Sequence, residues 1–143
     1  MSHFGEHAAG WLVLSAVGAL LAPRRRRDWL LVGVGALSAH AAAVLIKQVV
    51  RRARPNHPDV TVNVGTPSSL SFPSAHATSS TAAAMLLCRA TGSPLPLVVV
   101  PLMALSRLVL GVHYPTDVLA GMAIGATVAG ATAKFGARKE LES

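Results

Sequence analysis

The stretch WLLVGVGALSAHAAAVLI, residues 29–46, runs for eighteen residues without Asp, Glu, Lys or Arg. A helix needs roughly 17–25 apolar residues to cross the hydrocarbon of a bilayer, so with its flanks this segment reads as a membrane span. Working outward, four more charge-free runs appear: His7–Pro23, Ala75–Cys88, Leu95–Ser106 and Val118–Ala133. The sequence therefore predicts an all-α, integral-membrane bundle of about five transmembrane helices, as one domain over residues 1–143. The run from Ala75 is short and carries Thr78, Ser79, Ser80 and Thr81, which suits either a span or a helix buried in the bundle.

Composition agrees. The chain is 52% apolar and 13% charged, where soluble domains carry about 25% charged residues. A net charge of +7 suits nucleic acid in principle. The bases, however, lie in short clusters between apolar runs, and one Tyr leaves little to stack on bases. Membrane lipids, not nucleic acid, are the expected partners. Disorder is excluded by the apolar content, and a single cysteine, Cys88, excludes an internal disulfide.

Breakers punctuate the runs. Pro23 with Arg24, Arg25, Arg26 and Arg27 separates the first two, and Pro55, Pro58, Pro67 and Pro73 mark a long loop over about 52–73. Pro115 suits the first position of the last helix, while Pro101, inside the fourth run, predicts a kink. Gly121 and Gly125 form a GxxxG stripe for close helix approach, within the bundle or to a second copy in a homo-oligomer. Of thirteen basic residues, eight fall on the side of the C-terminal tail and five on the other. Excess Lys and Arg mark the cytoplasmic side. The expectation is a multi-pass protein of the cell (inner) membrane, with the C-terminus cytoplasmic and the long loop outside. The first run should be retained, since its positive charges follow the apolar residues and no cleavage motif follows.

Charge at the ends of spans is costly unless used, and three clusters sit there. Lys47 is followed by Arg51, four residues on along one helix face, then Arg52 and Arg54-Pro55. Taken alone, Lys47 and Arg51 also fit snorkelling side chains at an interface. Ser74, in Pro73-Ser74-Ala75-His76, is a natural N-cap, and the free N–H groups of a helix start bind anions. Ser106-Arg107 closes the fourth run, and His113 and Asp117 are four apart around a helix start. A carboxylate at that spacing can fix an imidazole tautomer and stabilise the imidazolium, as in the His–Asp half of a catalytic triad.

Taken together and in order, Lys47-x6-Arg54-Pro55, Pro73-Ser74-Ala75-His76 and Ser106-Arg107-x5-His113-x3-Asp117 resemble the motifs of the type 2 phosphatidic acid phosphatase (PAP2) superfamily, which also includes vanadium haloperoxidases. Two departures stand out: Ala75 replaces the family's usual Gly, and membrane members usually have six spans. The resemblance implies a PAP2/haloperoxidase-like core in which Lys47, Arg54, Arg107, Ser74 and the N–H of Ala75 bind phosphate. It further implies that His113 is the nucleophile, held by Asp117, with His76 as acid and then base, and with no cofactor and no metal. Three cations and a helix N-terminus can stabilise a transferring phosphoryl group.

The opening SHFGEH at 2–7, Gly10-Trp11-Leu12, and Ala22-Pro23 with the arginines resemble, more narrowly, actinobacterial decaprenylphosphoryl-5-phosphoribose phosphatases of arabinan donor synthesis. The implied reaction is removal of a 5-phosphate from a polyprenyl-phosphoryl ribose phosphate, with that lipid phosphate as partner. Arg51, His3, Glu6 and His7 are then candidate substrate contacts, the last three equally suited to anchoring at the interface. Alternative readings are a polyprenyl diphosphate phosphatase, a phosphatidylglycerophosphate phosphatase, or a non-catalytic membrane assembly subunit. His40 and His57 receive no role.

Overall fold

The computed structural model describes residues 8–55 and 68–141. Among these residues five α-helices follow one another: α1 Ala9–Leu21, α2 Arg26–Val50, α3 Ala75–Thr91, α4 Val99–Val109 and α5 Pro115–Leu141. Short 3-10 turns, Pro23–Arg25 and Leu95–Val98, lead into α2 and α4. No strand occurs among the described residues, and one isolated bridge pairs Ala53 with Leu70. Among the described residues, each charge-free run has one of these helices at its centre.

Small residues fill the interior. The core consists of Val32, Ala36 and Ala39 of α2, Ala82, Ala83, Leu86, Leu87 and Ala90 of α3, and Ala129 of α5, with Ala8. Larger apolar side chains point outward, with Leu20 75%, Val49 83% and Val109 69% exposed. In water such a surface would drive aggregation. In lipid it costs nothing, because the hydrocarbon is as apolar as leucine. Two segments, Pro23–Val50 and Pro115–Arg138, are long and apolar enough to cross a membrane, and only 39% and 22% of their apolar windows are buried, unlike the core helix of a soluble protein. Ala9–Leu21 and Leu95–Val109 are shorter apolar helices.

Helix α3 is the axis of the bundle, packed by α2, α4 and α5. Every residue from Ala77 to Ala84 is buried, so the polar run Thr78–Thr81 faces protein on all sides. This segment is therefore a helix buried within the bundle. Gly92 ends it in the left-handed conformation, φ 74°, which costs glycine little. At this end Arg25 donates to the Ala90 carbonyl, Arg27 donates to that of Gly136, and Arg89 pairs with Asp28 at 2.8 Å. The arginine run is thus partly the first turn of α2 and ties α2 to the ends of α3 and α5.

One expectation is corrected and one open reading is resolved. Pro101 lies in the first turn of α4, where its missing N–H has no helical partner to lose; a 3-10 turn, not a mid-helix kink, precedes it. The Gly121–Gly125 stripe is used inside the chain. A Cβ on Gly121 would lie 2.8 Å from the Ser74 carbonyl oxygen, and one on Gly125 would collide with that of Thr78. The stripe seats α5 on α3, which is the packing within the bundle that the sequence offered as one of its two uses.

Gly125→Ala should therefore destabilise the protein by about 1–3 kcal/mol, the usual cost of overpacking. Gly130→Ala, where a Cβ meets nothing within 4 Å, should be neutral or slightly stabilising. Thermal unfolding in detergent reads both; equal midpoints would mean that α3 and α5 are not in the tight contact described.

Candidate active site

The end of the bundle opposite the Asp28–Arg89 pair gathers the C-termini of α2 and α4 and the N-termini of α3 and α5. The His113 turn lies here, between α4 and α5. Pro115 is the first residue of α5, which puts Asp117 at its third position. From there a carboxylate reaches back to the cap residue's N–H, and Oδ2 accepts the N–H of Tyr114 at 2.9 Å. The other oxygen, Oδ1, accepts from Arg52 Nη1 at 2.9 Å. The backbone carbonyl of Asp117 accepts the N–H of Ser74 at 3.0 Å, joining the starts of α3 and α5.

Next to this carboxylate sits His113, 5% exposed. Its Nδ1 is 3.6 Å from Asp117 Oδ2, just beyond hydrogen-bond length. Arg54 Nη1 lies 3.4 Å from the ring's Nε2. A guanidinium only donates, so this contact favours a lone pair on Nε2 and the ring proton on Nδ1, facing Asp117. Burial, reinforced by the charges of Arg54 and Lys47 and opposed by Asp117, lowers the imidazole pKa from 6.5 to about 3. His113 is thus neutral at physiological pH, with its lone pair on the nitrogen away from the carboxylate.

Cations surround it. Lys47 Nζ, 7% exposed as a residue, donates to the Leu70 carbonyl at 3.1 Å. Arg54 is held by two carbonyls, Ser68 through Nε at 2.8 Å and Val112 through Nη1 at 2.7 Å. Burial lowers its pKa, with Asp117 pulling the other way and Arg107 adding to the fall. Arg107 Nη2 donates to Ser106 Oγ at 3.1 Å, and its Nε is buried with no partner. These anchors exist because segment 68–71 returns alongside 52–54: Arg54 N–H bonds the Ser69 carbonyl at 3.2 Å, and Ser71 N–H that of Arg52 at 2.8 Å.

Ser74 caps α3, its Oγ accepting the Ala77 N–H at 3.4 Å. Ala75 and His76 are the first two residues of the helix, so their N–H groups have no partner within it. Ala75 is helical, and positive φ among described non-glycine residues occurs only at Ala8 and Arg51. Alanine is therefore unstrained where the family has glycine.

Of the candidates named from sequence, His113, Asp117, Lys47, Arg54, Ser74, Ala75, His76 and Arg107 all fall at this end. Arg51 does not join them. Helix α2 stops at Val50, Arg51 turns left-handed at φ 51°, and its Nε folds back onto the Gln48 carbonyl at 3.0 Å. The face shared by Lys47 and Arg51 in a continued helix is lost at that break. His3, Glu6 and His7 lie outside the described residues. Arg52, given no role from sequence, is in direct contact with Asp117. A signal for it existed: residues two apart in an extended segment share a face, and Arg52 and Arg54 flank the bridged Ala53.

Known proteins resemble this chain closely. The model of the PAP2 superfamily matches residues 28–140. A decaprenylphosphoryl-5-phosphoribose phosphatase of Mycobacterium tuberculosis is 68% identical over 128 residues, 90% of this chain and 72% of that protein. Its counterpart in Mycolicibacterium smegmatis is 71% identical over 121 residues, 85% of this chain and 67% of that one. A transmembrane PAP2-type phosphatidylglycerolphosphate phosphatase from Bacillus subtilis shares the fold, with a TM-score of 0.73 at 22% identity over 96% of this chain and 73% of its own. With a matching family model, close phosphatase relatives and a shared membrane-protein fold, the chain belongs to the PAP2 superfamily and is a membrane phosphatase.

Proposed function

We propose that this phosphatase removes the 5-phosphate of decaprenylphosphoryl-5-phosphoribose, through a phosphohistidine at His113 and without a metal, in supply of cell-wall arabinan precursors. The substrate is that named for the two mycobacterial relatives. One observation carries the chemistry: a neutral, buried histidine with its Nε2 lone pair turned toward Arg54 and its Nδ1 toward Asp117, among three cations.

In the first step Nε2 of His113 attacks phosphorus and the bond to the ribose 5-oxygen breaks. The leaving oxygen takes a proton from His76, because a sugar alkoxide is too basic to depart alone. The positive charge that develops on the His113 ring is stabilised by Asp117. In the second step His76 takes a proton from water as the water oxygen attacks phosphorus, releasing phosphate and restoring His113. Lys47, Arg54, Arg107, Ser74 and the N–H of Ala75 neutralise the equatorial oxygens throughout. A metal cation would be repelled by the same charges.

With that substrate and EDTA present, phosphate release should continue, and His113→Ala should abolish it. His76→Ala should slow phosphorylation of His113 by the lipid substrate about 10²–10⁴-fold. It should nearly spare that step with p-nitrophenyl phosphate, whose leaving group needs no proton, so that phosphoenzyme accumulates as a burst. Equal losses with both substrates would remove His76 from the acid role, and phosphoenzyme in His113→Ala would place the nucleophile elsewhere. Preference for a polyprenyl diphosphate or phosphatidylglycerophosphate in the same assay would overturn the substrate.

The lowered pKa of His113 has two measurable sides. Substrate-free protein should show a neutral His113 ring in ¹⁵N spectra at about pH 6, below the ordinary histidine value. Because the folded state binds this proton less tightly than the unfolded chain, the site adds stability that is complete above pH 6.5 and is lost as pH falls toward 3. A ring already half-protonated near pH 6.5 would contradict the burial described.

Basic residues, eight on one side against five on the other, support an extracytoplasmic site. In a Cys88→Ser background, a cysteine at the exposed Ser69 should react with a membrane-impermeant thiol reagent in intact cells, and one at Arg26 should not. The opposite pattern would move the site to the cytoplasm.

A further inference from the structure

We infer that Arg52 is a positioning residue of the reaction, which holds the Asp117 carboxylate aimed at His113. The inference rests on the proposed roles of His113 and Asp117 and goes beyond them, to a residue at one of the unspecified positions of the first motif. Asp117 is fully buried, while the Arg52 side chain is 43% exposed, so the guanidinium covers the carboxylate from the solvent side. Arg52 Nη1 donates both to Asp117 Oδ1 at 2.9 Å and to Thr116 Oγ1 at 2.8 Å. Its Cζ lies 5.0 Å from the centre of the Tyr114 ring and 5.9 Å from that of Phe72. Two polar anchors and two aromatic faces thus fix one guanidinium.

The need for it follows from the carboxylate's surroundings. Asp117 has the Tyr114 N–H on Oδ2, but His113 Nδ1, at 3.6 Å, is not yet a hydrogen-bond partner. A buried carboxylate without a matching cation relieves itself by drawing a proton to the pair. That proton would make His113 an imidazolium, which has no lone pair with which to attack phosphorus. Arg52 supplies the matching charge on the oxygen remote from the histidine and leaves Oδ2 for the ring. The other charged groups facing His113 are Lys47 from α2 and Arg54 from the segment after it. Arg107 from α4 acts on Arg54, and His76 in the first turn of α3 is the remaining titratable group at this end. Lys47 and Arg54 raise the cost of protonating His113 and also feel the Asp117 charge, but neither hydrogen-bonds the carboxylate, so the cation in direct contact with it is Arg52.

The test is kcat/KM against pH for the full chain in detergent, with decaprenylphosphoryl-5-phosphoribose as substrate. Arg52→Gln should lower kcat about 10–100-fold, as misplacement of a supporting group does, while KM stays within about twofold. Its acid limb should move up by about one pH unit or more, because an opposite charge has been taken from the carboxylate. Arg52→Lys should recover most of both effects. Thr116→Val, which removes one anchor of Arg52 and keeps the charge, should shift the limb in the same direction by less, and it serves if Arg52→Gln does not fold. An unmoved acid limb in both Arg52→Gln and Thr116→Val overturns the inference, as does a loss confined to KM, which would make Arg52 a substrate-binding group. His113→Ala in the same series separates the two readings. If it still forms phosphoenzyme, the nucleophile assignment fails. If it is inert and the acid limb of Arg52→Gln is unmoved, only the role of Arg52 fails.

Discussion

One buried carboxylate organises the active end of this molecule. Asp117 caps its own helix through Tyr114, takes Arg52 on its second oxygen and lends its carbonyl to Ser74. By those three bonds the starts of α3 and α5, the His113 turn and the segment after α2 are set at fixed distances from one another. Each bond is ordinary, worth about 0.5–1.5 kcal/mol if neutral and about 1.5–3 if charged. Their shared origin gives them their weight, since a displaced Asp117 displaces four elements together.

Charge balance at the two ends of the bundle has the same economy. Asp28 and Asp117 are the two acidic side chains among those described, and each pairs with an arginine, Arg89 and Arg52 respectively. The remaining cations at the active end are held by carbonyl oxygens of Ser68, Leu70 and Val112 and by the Ser106 hydroxyl. Dipoles orient a cation without cancelling its charge. Lys47, Arg54 and Arg107 therefore keep a net positive field at this end, which a phosphate dianion is suited to satisfy.

Much of this was legible in the residues. Charge-free runs located all five helices, because in lipid hydropathy outweighs every other local preference. Pro115 and Asp117 fell where cap chemistry places them, and the residues of the three motifs came to one end. What escaped had tertiary causes. Residue periodicity continued α2 through Arg51, whereas the chain breaks at Val50 and sends Arg51 back on its own helix. The burial of Thr78–Thr81 on every side depends on having three neighbours around α3, which one helix's sequence does not encode. Pairing of 52–54 with 68–71 crosses a long loop, so the contact of Arg52 with Asp117 was visible only once that segment had returned.

The alanine-filled interior and leucine-clad exterior invert the usual map of tolerance to change. In a soluble protein the surface drifts and the core is held by shape. Here the lipid-facing Leu20, Val49 and Val109 meet a fluid that accepts any apolar outline, while Gly121, Gly125 and the alanines of the core have no smaller residue to retreat to except, for alanine, glycine. Divergence among homologues should therefore accumulate as exchanges among large aliphatics on the outside, and the interior should change least where its side chains are smallest.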